Sequence, residues 1–153
     1  PQAQIALYGI SMGAAEVMMA SADGLPQNVK AIVEDSGYSD VKSVLKRQTH
    51  DTLHIFPDPI VFLASLYAKF VIGLDFKKAS AVEAVKNTNI PILFIQGTED
   101  KCIPFEMFDT LYKSCASEKE TYVVEGADHM QCDVICPEKY YRTVDEFLSK
   151  YIK

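Results

Sequence analysis

Residues 4–19 read QIALYGISMGAAEVMM, an apolar run that ends in Gly9-Ile10-Ser11-Met12-Gly13 and passes straight into small, helix-forming residues. A strand that feeds a helix through so tight a turn leaves its middle residue in a crowded backbone position. Glycines two residues to either side, Gly9 and Gly13, relieve that crowding. The hydroxyl of Ser11 then stands at the crest of the turn. The helix starting there brings partial positive charge and a free N–H at Met12. Gly and Ser are common turn residues, so the motif alone says only that strand meets helix. A chemical reading needs a base and an acid elsewhere in the chain.

Three further apolar runs, at residues 31–33, 92–95 and 121–124, join the first at 5–8, each bounded by turn residues. None alternates with polar residues, which predicts strands covered on both faces, as in a parallel sheet. The intervening segments 14–22, 82–87, 105–116 and 137–152 read as helices, with Pro104 and Pro137 suited to first turns and Pro91 marking entry to a strand. Alternating strands and helices predict an α/β fold: one parallel sheet of four strands with flanking helices and right-handed crossovers. No repeat or linker divides the chain, so residues 1–153 are expected to form one domain. One connection is longer than a crossover requires. Residues 38–80 hold an amphipathic stretch (Val41, Val44, Leu45), a Pro-interrupted loop and an apolar helix over 60–72, read as a lid-like helical excursion over one edge of the sheet.

Composition narrows the function. With 153 residues, 48% of them hydrophobic and 24% charged, the chain has the balance of a globular domain rather than of a disordered one. Its net charge of −6 leaves no basic surplus for phosphates, so no nucleic-acid partner is expected. The most apolar segment, residues 59–74, is shorter than a bilayer span and carries Lys69, which predicts a buried or lid-like helix. No signal peptide is visible, and a start on Pro1 rather than Met suggests an excerpt. Cys102, Cys115, Cys132 and Cys136 form no paired ligand sets, so free thiols in a reducing, cytoplasmic setting are expected. Cys132 and Cys136 with His129 fall short of the four ligands zinc takes, and nothing calls for a metal or an organic cofactor.

The candidate base is His129, in Glu125-Gly126-Ala127-Asp128-His129-Met130, on the loop leaving the fourth strand. The candidate acid is Asp100, in the GTEDKCIP loop of residues 97–104 leaving the third. Both loops are expected at the carboxyl edge of the sheet, with Ser11. The chain order Ser, Asp, His fits a nucleophile elbow with its partners. Ser11 would attack an acyl carbonyl, His129 would take and return the proton, and Asp100 would fix the imidazole tautomer. Rivals remain: His50 and His54 as bases, Glu99 and Asp35 as acids.

GISMG at 9–13, the G-x-x-D-x-x-[VI]-P pattern of GTEDKCIP and EGADHM at 125–130 together resemble the α/β-hydrolase superfamily over essentially the whole chain, in the style of its bacterial esterase-like and serine-aminopeptidase-like members. The resemblance implies a serine hydrolase acting on a small acyl substrate, an ester, thioester or small amide. It also implies that the four strands are strands five to eight of that fold, its carboxyl-terminal half. The loop supplying the second oxyanion donor would then lie outside the chain, leaving Met12 N–H alone and a feeble catalyst. The alternative is a catalytically silent α/β-hydrolase-like module that serves association. Acyl transfer to an acceptor other than water would use the same residues. The first strand would be a bare apolar edge, open to self-association with another copy. Phe56, Phe62, Leu66, Tyr67 and Phe70 are expected either to line an acyl pocket or to be core.

Overall fold

The computed structural model describes residues 3–153. Its centre is a parallel sheet of strands β1 (Ile5–Ile10), β2 (Val29–Asp35), β3 (Ile92–Gly97) and β4 (Lys119–Val124), in spatial order 1-2-3-4. Register runs Leu7 against Ile32, Val33 against Leu93 and Ile95 against Tyr122, with one irregularity at Ile5/Ala6. Helix α1 (Met12–Ala20) follows β1, α5 (Phe105–Ser114) follows β3, and a short α6 (Cys132–Ile135), not foreseen from sequence, leads into α7 (Pro137–Leu148).

The expectation of strands covered on both faces holds for the centre of the sheet and not for its borders. Every residue of β3 is buried, and β2 is buried except at Lys30, whereas Ile5, Tyr8 and Ile10 of β1 and Thr121 and Val123 of β4 are exposed. Successive side chains on a strand point to opposite faces, and this alternation builds two cores. Ala31, Val33, Leu93, Ile95 and Tyr122 meet Tyr140, Val144 and Phe147 of α7 on one face. Ile32, Ile92 and Phe94 meet Met18 of α1 and Phe108 and Leu111 of α5 on the other.

Between β2 and β3 the chain makes its excursion: α2 (Val41–Leu53), α3 (Asp58–Tyr67), a π-helical turn (Ala68–Ile72) and α4 (Ala81–Val85), which returns it to the sheet. It leaves and returns through a neck, where Val41 N–H donates to Ala79 O (3.2 Å) and Val82 N–H to Ser39 O (3.1 Å). Asp40 and Ser80 are bridge partners there, and each caps a helix: Asp40 accepts from Ser43 N–H at 2.8 Å and Ser80 from Glu83 N–H at 3.3 Å. The apolar helix expected over 60–72 forms, but it is not buried. Phe56, Phe62, Leu66, Tyr67 and Phe70 are all exposed rather than core. Only the small Val61 and Ala68 face inward, so the large side chains find no room against the sheet layers.

Candidate active site

Ser11 sits between β1 and α1 with φ 55° and ψ −114°, a conformation that costs a non-glycine residue of order 1–3 kcal/mol. Its N–H donates to Asp35 O at 2.8 Å, which ties the turn to the end of β2. Gly9 is obligatory there, since a Cβ would fall 2.2 Å from Gly13 O. The two glycines are not equivalent, because a Cβ at Gly13 would meet nothing within 4 Å. Met12 is the first residue of α1, so its N–H has no partner within the helix and lies beside the Ser11 side chain.

The structure brings Ser11, His129 and Asp100 together. Ser11 Oγ lies 2.9 Å from His129 Nε2, and His129 Nδ1 lies 2.8 Å from Asp100 Oδ2. A carboxylate only accepts, so Nδ1 carries the proton and Nε2 is left to accept from the Ser11 hydroxyl. Asp100 has no exposed side-chain surface. Its burial is balanced by four donors: Cys102 N–H (2.9 Å) and Ile103 N–H (2.7 Å) on Oδ1, and His129 Nδ1–H and Gln96 Nε2–H (2.9 Å) on Oδ2. The hydrogen bond to Asp100 raises the His129 pKa above the usual histidine value; partial burial opposes it, and the charges of Asp100, Asp35 and Asp128 add to it.

No rival side chain is hydrogen-bonded to Ser11 or His129 among the described residues. His50 is exposed beside Asp51, and His54 ends α2 in the left-handed region. Glu99 is exposed. Asp35 accepts from Tyr140 OH at 2.7 Å and Ser36 Oγ at 2.8 Å, in a pocket where burial raises its pKa. The same burial, with Asp35 alongside, pushes the Cys132 thiol up to about 12.

Further residues surround this arrangement, and Gln96 and Glu34 among them gave no motif signal. Gln96, buried in β3, donates directly to the Asp100 carboxylate. Asp128 accepts from both Lys101 N–H (3.0 Å) and His129 N–H (2.8 Å), clasping the acid loop to the base loop, and these backbone donors hold its pKa down at about 2. Gly97 allows the same two loops to touch, for a Cβ there would lie 2.3 Å from Ala127 O. Glu34, fully buried and accepting from Gly37 N–H at 3.1 Å, has a pKa raised well above the carboxylate range by desolvation and by Asp35. Gly97 and Asp128 fall within the GTEDKCIP and EGADHM stretches, whereas no motif covers Gln96 or Glu34.

A recess of about 240 Å³ opens at Ser11, walled by Met12, Tyr38, Val41, Val44, Leu45 and Ile103, with Gln48 and Cys102 at its edge. The excursion therefore contributes its first helix to this wall. The five side chains anticipated as an acyl pocket are absent from it; Phe62 and Leu66 border a separate recess between α2 and α3.

Sheet, elbow and loop placement define an α/β-hydrolase fold. Within that class, the chain belongs to the serine hydrolase (FSH1) family, which matches residues 9–130. Among curated relatives, the Bacillus subtilis "Uncharacterized protein YqkD" is 22% identical over 145 residues, 95% of this chain and 48% of that protein. An esterase of Pyrococcus furiosus superposes with a TM-score of 0.71 at 18% identity, over 98% of this chain and 54% of its own. An acylaminoacyl peptidase of Pyrococcus horikoshii gives 0.73 at 19% identity, over 99% and 24%. The chain thus spans about half the length of the curated relative it matches.

Proposed function

We propose that Ser11, His129 and Asp100 are the catalytic triad of a carboxylesterase-like serine hydrolase that cleaves an ester, thioester or small amide through an acyl-enzyme. The observation that carries this reading is the unbroken hydrogen-bonded run from Ser11 Oγ through the imidazole to the buried Asp100 carboxylate. Ser11 Oγ attacks the acyl carbonyl while its proton passes to His129 Nε2, and that proton leaves with the alcohol, thiol or amine. Water then attacks the acyl-Ser11 ester with His129 again as base. Asp100 stays charged and holds the Nδ1–H tautomer. Met12 N–H, at the positive end of α1, meets the developing oxyanion. The apolar walls of Val41, Val44, Leu45 and Ile103 suit a small apolar acyl group. Among the described residues, Met12 N–H is the donor assigned to the oxyanion, and losing one such donor typically costs about 10²–10³ in turnover.

Treatment with a fluorophosphonate followed by peptide mapping tests it. The expected outcome is a single adduct on Ser11, lost in Ser11→Ala and strongly slowed in His129→Ala. Labelling spread over other serines, or unchanged in His129→Ala, would refute the assignment.

A further inference from the structure

Helix α3 is amphipathic in an inverted sense. The inward positions hold the small Val61 and Ala68, 2% and 5% exposed, while Phe62 (63%), Leu66 (43%) and Phe70 (74%) follow one another at four-residue spacing along the outward face. Leu63, Tyr67, Val71 and Ile72 widen the stripe, each more than 60% exposed. An apolar face of this kind is not a requirement of the fold, because nothing in either core rests on it. A contiguous exposed apolar patch on a globular domain marks a docking surface.

Charge indicates what docks. Residues 41–80 carry six Lys/Arg (Lys42, Lys46, Arg47, Lys69, Lys77, Lys78) against three Asp (Asp51, Asp58, Asp75), an excess of three positive charges within a chain of net charge −6. Lys46, Arg47 and Lys69 pair with those aspartates. Lys42, Lys77 and Lys78 are exposed and have no ion pair among the described residues; Lys42 and Lys77 border the recess beside the helix, whereas Lys78 lies toward α1 and α4. Between α2 and α3, a recess of about 380 Å³ has apolar walls from Phe62, Leu66 and Phe76 beneath Lys42, Lys69 and Lys77, while Asp58, Ser65 and Asp75 also border it.

We propose that the outward face of α3 and its π-helical turn docks on an anionic lipid surface. The aromatic and aliphatic side chains enter the boundary between headgroups and acyl chains, and the lysines meet the anionic headgroups. The element lies on the surface and does not cross it. Ten residues of α3 and five of the π-helical turn extend roughly 22 Å at helical rise, against about 30 Å of hydrocarbon. Among the described residues no helix is long and apolar enough to span a membrane. A second copy is the poorer occupant, since a two-fold contact would set this patch against itself and bring the free lysines face to face.

Sedimentation with phosphatidylcholine vesicles, with and without phosphatidylglycerol, tests the proposal on the whole chain. The expected result is co-sedimentation that depends on phosphatidylglycerol, weakens in high salt, and falls at least about tenfold in Lys42→Glu/Lys77→Glu. Phe70→Asp should abolish it while leaving the far-ultraviolet circular dichroism unchanged, because Phe70 supports no core. Absence of binding to either vesicle, or equal binding to both without salt dependence, would overturn the proposal. So would a concentration-dependent dimer that Phe70→Asp dissolves, which would assign the patch to protein contact.

Discussion

His129 makes two hydrogen bonds that place opposite demands on its charge. Asp100 favours the imidazolium and raises the pKa, whereas accepting from Ser11 requires the neutral ring. Reactivity of Ser11 toward a fluorophosphonate should therefore rise with pH through a midpoint above the ordinary histidine value of about 6.5. Stability runs the other way. A raised folded-state pKa contributes stability that is fully present below the unfolded value and is lost as pH climbs through the folded one. Asp100→Asn removes the charge and the fixed tautomer together; its labelling should fall by about 10³–10⁴ and its midpoint should move down. A midpoint unchanged by Asp100→Asn would show that this pair does not set the titration. Asp128 leaves this window undisturbed, since a carboxyl held at about 2 stays ionised throughout it.

At the scale of elements, loops 97–103 and 125–130 behave as one unit. Glu99 N–H donates to Ala127 O (3.0 Å), Gly126 N–H to Thr98 Oγ1 (2.9 Å) and Lys101 N–H to Asp128 Oδ1. Gly97→Ala would drive a methyl into the Ala127 carbonyl, which should cost about 1–3 kcal/mol and slow Ser11 labelling by displacing His129. Gly13→Ala is the contrast: with open space around it in a helix, it should leave thermal stability level or raise it by about 0.5–1 kcal/mol. Thermal melts of the two variants check both, and an equal loss in each would contradict the contact geometry. What sequence could and could not reveal follows the same division. Central strands were legible because burial on two faces leaves uninterrupted apolar runs, and Asp100 was legible because its Oδ1 closes a local turn onto Cys102 and Ile103 whose residues appear in order. Gln96 was not, because its partner lies across a loop and a polar residue in a strand carries no pattern. Sequence left α3 open between a buried and a lid-like helix for a related reason: hydropathy measures how much a segment resists water, and says nothing of what covers it.

For the whole molecule, β1 is the decisive border. Among the described residues its outer backbone edge has no neighbouring strand in the sheet, and Ile5, Tyr8 and Ile10 are exposed beside it. Such an edge templates pairing with another strand. We propose that copies of this chain associate through β1; light scattering should give a mass that rises with concentration and returns to monomer in Ile5→Lys, while a monomer at every concentration would count against it. The order of strands gives that border a further significance. Ser11 leaves β1 while His129 leaves β4, at opposite margins of the sheet, and adjacent strands are rotated by roughly 20–25°. The 2.9 Å contact between them thus closes a span built from three successive strand pairings. That contact therefore depends on the twist of the whole sheet, so a strand seating on β1 and altering that twist would shift the Ser11 hydroxyl relative to the His129 ring.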